Sequence, residues 1–145
     1  MSARITQKQY KTLVDDKKRF SPKPHVMSED YEHIAVMDWA RRTNWGDGRL
    51  SDVIHHSPNG GKRSAREGQK FKDMGTQAGF PDFHVYVPRN GFHGLFIELK
   101  SKKGVVSACQ KIVLARLESF GYKTAVCYGF DEAKLVLIDY MGISI

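Results

Sequence analysis

The sequence predicts an α/β domain, a mixed central β-sheet flanked by helices, or α+β under a stricter classification. Three observations predict it. Short apolar runs rich in β-branched and aromatic residues alternate with segments of helical period along the 145 residues. Serine-led capping sequences open two of the helical segments. Gly and Pro clusters separate most elements from the next. The length suits a single domain over 1–145, with a polar, basic extension over 1–24.

Taken in order, residues 1–20 read as one polar, basic helix closed by Pro22 and Pro24. Ser28 reads as the N-cap of a second helix, with Glu29 and Asp30 in the first turn, where carboxylates suit the helix dipole. That helix runs to about Arg42. Glu32, Ala35, Val36 and Trp39 share a face at i, i+3, i+4 and i+7. Gly46 and Gly48 end the region. Asp52–Ser57 reads as a short strand, broken by the turn Pro58-Asn59-Gly60-Gly61. Ser64 and Glu67 form a capping box for a basic helix reaching about Thr76. "DFHVYVP" and "GLFIELK" read as strands of a hairpin joined through Pro88 to Gly94. Ser107 opens a further helix with Val113, Leu117 and Phe120 on its face, and Gly121 ends it. "KTAVCYG" is an apolar strand, and Asp131 to about Tyr140 a final short helix.

Composition narrows the partners. Lys and Arg exceed Asp and Glu by 23 to 16, a formal charge of +7, which favours a polyanion. Cys109 and Cys127 are too sparse for a disulfide framework or a zinc site and read as reduced core thiols. The N-terminus lacks the apolar stretch of a signal peptide, and no apolar run approaches the roughly 18 residues of a membrane span. The expectation is a cytoplasmic protein without a membrane partner.

The chemistry concentrates in Phe80 to Gly104. Along "GLFIELK", Leu95, Ile97 and Leu99 point one way and Phe96, Glu98 and Lys100 the other. Glu98 and Lys100 are then neighbours, and a surface ion pair worth about 0–1 kcal/mol is the plain explanation. Antiparallel pairing of the two strands also brings Asp82 beside them. Converging carboxylates repel unless a cation lies between, and a hard divalent ion is the simple solution. Asp82 has a plainer reading as a turn residue after Pro81. Glu32 either faces inward toward this site or serves the first helical turn. Gln110 is either the return arm of an S-x-x-Q capping box or part of the site. Lys100 reads first as a positioning and electrostatic group, because adjacent carboxylates favour its charged form.

Pro81-Asp82, fifteen intervening residues and Glu98-Leu99-Lys100 resemble the PD-(D/E)xK nuclease superfamily. "HHSPNGGKRS", "EGQKFKDMGTQAGFPD", "GLFIELKSKKGVVSACQ" and "EHIAVMDW" are similar to the VRR-nuc family, over about Ser28 to Tyr140. The chain resembles its stand-alone virus and bacterial members. The resemblance implies a restriction-endonuclease-like core and a Mg²⁺- or Mn²⁺-dependent DNA endonuclease. It implies that Asp82, Glu98 and the Leu99 carbonyl hold the metal. Lys100 would sit by the attacking water, Glu32 would contribute from the first core helix as catalytic group and ligand, and Gln110 from the later helix. It further implies a homodimer acting on branched DNA such as Holliday junctions, in a bacterium or a virus-infected cell.

Basic residues supply a phosphate track: Lys62, Arg63, Lys70 and Lys72, with Lys102 and Lys103 beyond the active strand. Arg66 lies on the same helix, and Asn59 shapes a loop beside the site. A solvated face explains each of these residues singly. His55 and His56 face opposite ways and would not both hold one ion, and an HNH site on His56 and Asn59 lacks a third histidine. A non-catalytic DNA-binding module and a flap- or duplex-directed nuclease are the alternatives. "LVLIDYMGISI" and the N-terminal helix are candidate dimer surfaces, with core packing the plainer role for the former.

Overall fold

A computed structural model describes Lys8, residues 29–58 and residues 63–145. Apart from Lys8, the expected N-terminal helix lies outside the described residues, as do Pro22, Pro24, the Ser28 cap and the turn from Asn59 to Lys62. Helix α1, Glu29–Arg42, leads into two-residue strands β1, Asn44–Trp45, and β2, Gly48–Arg49. A 3₁₀ turn, Leu50–Val53, precedes β3, Ile54–His56, and α2, Ala65–Asp73. Strands β4, Phe83–Val85, and β5, Leu95–Lys100, follow, then α3, Ala108–Ser119, β6, Lys123–Tyr128, and α4, Phe130–Met141.

The four-stranded sheet has the order β3-β4-β5-β6. The first two pairings are antiparallel, with Ile54 opposite Val85 and Phe83 opposite Ile97. The last is parallel, with Leu95 beside Lys123 and Lys100 beside Tyr128. A parallel pair needs a crossover, and α3 supplies it. The mixed α/β reading therefore holds, as does the β4–β5 hairpin.

One sheet face carries the main core. Phe83, Val85, Leu95, Ile97, Leu99 and Cys127 pack with Ala35, Val36, Trp39 and Ala40 of α1. Phe130, Ala133, Leu137, Tyr140 and Met141 of α4 close it. The i, i+3, i+4, i+7 stripe of α1 thus does what its period implies. The opposite face is aromatic: His84 stacks flat on Phe96 at 4.1 Å and 7°, and Phe80 and Tyr122 meet Phe96 edge-on. Burial on both faces explains why five consecutive residues of β5, Leu95 to Leu99, are buried.

Several elements depart from the sequence reading. Gly46 and Gly48 do more than end a helix. Gly46 has φ +54° and turns the β1–β2 hairpin, which two-residue strands are too short to announce by period. The Asp52–Ser57 strand shortens to Ile54–His56 behind the 3₁₀ turn. On α3 it is Val113 and Leu114 that are buried, while Phe120, at 63% exposure, is the cap residue. Cys127 is a core thiol that burial, then Glu132, pushes up to about 12, whereas Cys109 is exposed. Leu137, Tyr140 and Met141 are buried, so that part of the final segment is core rather than a free dimer surface. Lys134 is buried too, its Nζ over the rings of Trp39 and Phe130. No described helix is long and apolar enough to cross a membrane.

Two predictions concern stability. Ile97 is fully buried at the sheet centre, so Ile97→Ala lowers the unfolding free energy by about 2–5 kcal/mol, read by denaturant titration. His84 is held below its ordinary value of 6.5, first by burial and then by His55. The unfolded chain therefore takes up that proton more readily, and stability is lost as pH falls below 6.5. The melting temperature accordingly drops between pH 7.5 and 5.5 (roughly the range in which histidine titrates), and His84→Gln makes that drop smaller.

Candidate active site

The β4–β5 register, Phe83 opposite Ile97, continues one step to set Asp82 opposite Glu98. Both residues line one cavity of about 630 Å³, together with Gly79, Phe80, Lys100 and Gln110. Residues of α1, among them His33, Met37 and Arg41, form another wall, and His56 and Pro58 a third. Pro81 is buried, and its fixed φ holds the chain extended into β4. The Asp82 carbonyl accepts from the Ser57 amide at 2.8 Å, and its carboxylate Oδ2 accepts from the Leu99 amide at 2.8 Å. The side chain is therefore tied to the strand that carries Glu98 and Lys100.

Glu98 is 3% exposed. A carboxylate that deep is costly unless charged and hydrogen-bonding groups surround it. Lys100 Nζ lies 3.0 Å from its Oε1, and Gln110 Nε2 donates to the same oxygen at 2.6 Å. The pairing of Glu98 with Lys100 is not the exposed surface pair that E-x-K alone suggests. Both side chains are largely buried, at 4% and 13% exposure.

Gln110 does both of the things the sequence offered as alternatives. Its Oε1 accepts from the Ser107 amide at 2.8 Å, and its own amide donates to Ser107 Oγ at 3.2 Å. The capping box thereby orients the side-chain amide. With Oε1 committed to a donor, the NH₂ group must face the other way, and Glu98 is there to accept from it. A flipped amide would set oxygen against carboxylate and NH₂ against N–H, losing both bonds. Ser64 Oγ likewise accepts from the Glu67 amide to cap α2.

Gly79 fixes the spacing between these parts. It has φ +79°, and a Cβ there would lie 2.6 Å from the Cys109 carbonyl carbon and 2.7 Å from the Gln110 nitrogen. Only a residue without a side chain lets the chain before Pro81 lie against the first turn of α3.

Glu32 sits elsewhere. Its Oε2 accepts from the Phe130 amide at 2.6 Å, at the N-terminus of α4, where a carboxylate is favoured by unsatisfied N–H groups. It is not among the residues lining the cavity. Leu99 contributes backbone to the site, while its side chain is core. Arg63, Lys70, Lys72, Lys102 and Lys103 do not line the cavity that Asp82 and Glu98 share, and all but half-buried Arg63 are exposed. Asn59 and Lys62 lie outside the described residues.

Sequence reading missed His33 and set His56 aside. His33 Nε2 lies 3.4 Å from Asp82 Oδ1. The two imidazoles are 5.3 Å apart, and both pack on the Phe83 ring. Burial first, then the neighbouring His33, hold His56 below its usual value. Its position on β3 could be read from the strand, but the contact with α1 could not. Among the described residues no group of three or more His, Cys, Asp or Glu side chains is gathered for a metal ion. The donor set is two carboxylates, backed by an ammonium and an amide.

A mixed sheet flanked by helices, with paired carboxylates at the β4–β5 end, is the architecture of restriction-endonuclease-like nuclease domains. The comparisons agree. The profile of the VRR-NUC domain family matches residues 30–131. A solved structure described as a VRR_NUC domain protein is 34% identical, with a TM-score of 0.72 over 81% of this chain and 91% of that one. No curated protein matches. The chain belongs to the VRR-NUC domain family, a nuclease-type domain family.

Gly79→Ala forces both a positive φ on a side-chain residue and a clash with the α3 backbone. It lowers stability by roughly 1–3 kcal/mol in denaturant titrations, while Gly75→Ala, where φ is +99° but the space is open, costs less.

Proposed function

We propose that this protein is a divalent-metal-dependent, structure-selective DNA endonuclease that works as a Holliday-junction-resolvase-like homodimer. The observation that carries the reading is the placement of Asp82 and Glu98 at opposed positions on one cavity, with Lys100 Nζ 3.0 Å from Glu98. Family membership supports nuclease chemistry on DNA. The excess of basic residues supports a polyanionic substrate.

The donor set suits Mg²⁺ or Mn²⁺. These hard cations accept oxygen ligands, and Mg²⁺ typically takes one or two carboxylates while keeping several waters and substrate phosphate oxygens. Asp82 and Glu98 would supply the carboxylates and Leu99 its carbonyl. In an extended strand the N–H and C=O of one residue point to the same edge, so the amide that binds Asp82 directs the Leu99 carbonyl toward the β4 side. When bound, such an ion lowers the pKa of a water and offsets phosphate charge.

The chain's own groups have separate tasks. Lys100 orients the attacking water and offsets the charge that develops on the phosphate. Gln110 holds the Glu98 carboxylate in one orientation. Glu32 serves from α1 by holding the first turn of α4 beside the end of β6. Arg63, Lys70, Lys72, Lys102 and Lys103, with Asn59 and Lys62, contact the DNA backbone. Two identical sites match the approximate two-fold symmetry of a four-way junction, which needs paired incisions.

The test is cleavage of labelled four-way, flap and linear DNA with Mg²⁺ or Mn²⁺, beside a chelator control. The parent cuts the junction at paired positions, the chelator stops it, and Lys100→Ala slows it on the order of 100-fold or more. Asp82→Ala loses cleavage and keeps DNA binding. Cutting of flaps in place of junctions would discard the resolvase detail. Undiminished cutting by Asp82→Ala would discard the site, and salt-sensitive binding without cutting would leave a binding module. Light scattering that finds a monomer at micromolar concentration would remove the homodimer.

A further inference from the structure

We propose that the cavity beside the catalytic one seats an unpaired nucleobase of the substrate strand, an inference that rests on the endonuclease reading above. This second cavity, of about 440 Å³, shares Pro58 and Phe80 with the first, so the two are contiguous. Its walls include Phe71, Phe80, Arg63, Thr76 and Gln77. The Arg63 guanidinium carbon lies 4.1 Å from the centroid of the Phe71 ring, and its Nη2 donates to the Pro58 carbonyl. Ring and guanidinium together make a planar, cationic stacking surface anchored at the boundary between the cavities.

The position of Phe71 is the informative part. No residue of α2 is buried, so this phenylalanine is not anchoring its helix in the core. It remains 36% exposed on a helix whose neighbouring residues, Lys70 and Lys72, are exposed cations. Aromatic faces and guanidinium planes are what unpaired bases stack on, with lysines tracking the phosphates. Gln77 adds an amide with donors and an acceptor, and Thr76 a hydroxyl, suited to a base edge. Among the described residues that line the cavity, Arg63 is the one charged residue. An intact duplex keeps its bases stacked, whereas flaps and forks offer an unpaired one, and a four-way junction offers one where a pair at the branch opens. Such a seat next to the carboxylates would favour cleavage where pairing is interrupted.

The test measures binding by fluorescence anisotropy in chelator, where cleavage does not intervene. Forked and flap oligonucleotides carry one abasic site, moved stepwise along the strand on either side of the branch. The parent loses affinity on the order of tenfold at one abasic position. Phe71→Leu, which keeps an apolar side chain but no ring, binds the complete oligonucleotide more weakly by a similar factor and is indifferent to the abasic site at that position. Arg63→Met serves as the second variant if Phe71→Leu fails to fold. Equal responses of parent and variants at every position would overturn the base seat, as would a uniform loss with no positional dependence. A parent that discriminates at one position yet never cuts DNA upholds the seat and sinks the endonuclease reading. A parent that cuts but finds no such position does the reverse.

Discussion

The buried carboxylate of Glu98 is the constraint on which the rest of the site depends. At 3% exposure its charge must be met within the protein, since removing water from a carboxylate costs several kcal/mol. Lys100 meets it from two residues along the same strand, and Gln110 from the helix opposite. The placement of α3 over β5 is therefore an electrostatic requirement as well as a packing one. Gly79, by allowing close approach of the chain before Asp82 to the first turn of α3, sets the distance at which the requirement is satisfied.

Strand β5 reconciles two demands that ordinarily conflict. Its Leu95, Ile97 and Leu99 belong to the core shared with α1 and α4. Its Phe96 belongs to an aromatic layer, and its Glu98 and Lys100 to the cavity. Because side chains alternate along a strand, one rigid element buries hydrophobic surface on one side and holds charge on the other. Rigidity follows from neighbours on both edges, β4 and β6. The Leu99 amide binding Asp82 shows the same economy, since one backbone group orients the second carboxylate.

Much of this was legible in advance because it is local. The Glu98-x-Lys100 alternation, the antiparallel hairpin that sets Asp82 opposite Glu98, and the Ser107–Gln110 capping box each depend on spacing within a single strand, hairpin or helical turn. What was not legible depends on contacts between distant segments. Glu32 looked equally suited to the site and to its own helix, and its carboxylate meets the Phe130 amide 98 residues away. His33 reaches Asp82, and His56 meets His33, through the approach of α1 to the β3–β4 edge. Phe120 matched the helical stripe yet lies exposed, because the helix ends there and Val113 with Leu114 face the sheet instead.

By itself the sequence determined the mixed α/β class, the order of its main elements, and the trio of Asp82, Glu98 and Lys100. Periodicity, capping and turn chemistry act over one or two turns of chain, so they can be read along it. Only the tertiary structure decided that Glu98 is buried, that Gln110 both caps a helix and binds Glu98, and that Glu32 holds α4. It also decided that Arg63 and Phe71 line a cavity joined to the one that holds Asp82 and Glu98. Those outcomes depend on which surfaces meet across the sheet, and burial and charge pairing between segments far apart in the chain leave no periodic trace within either.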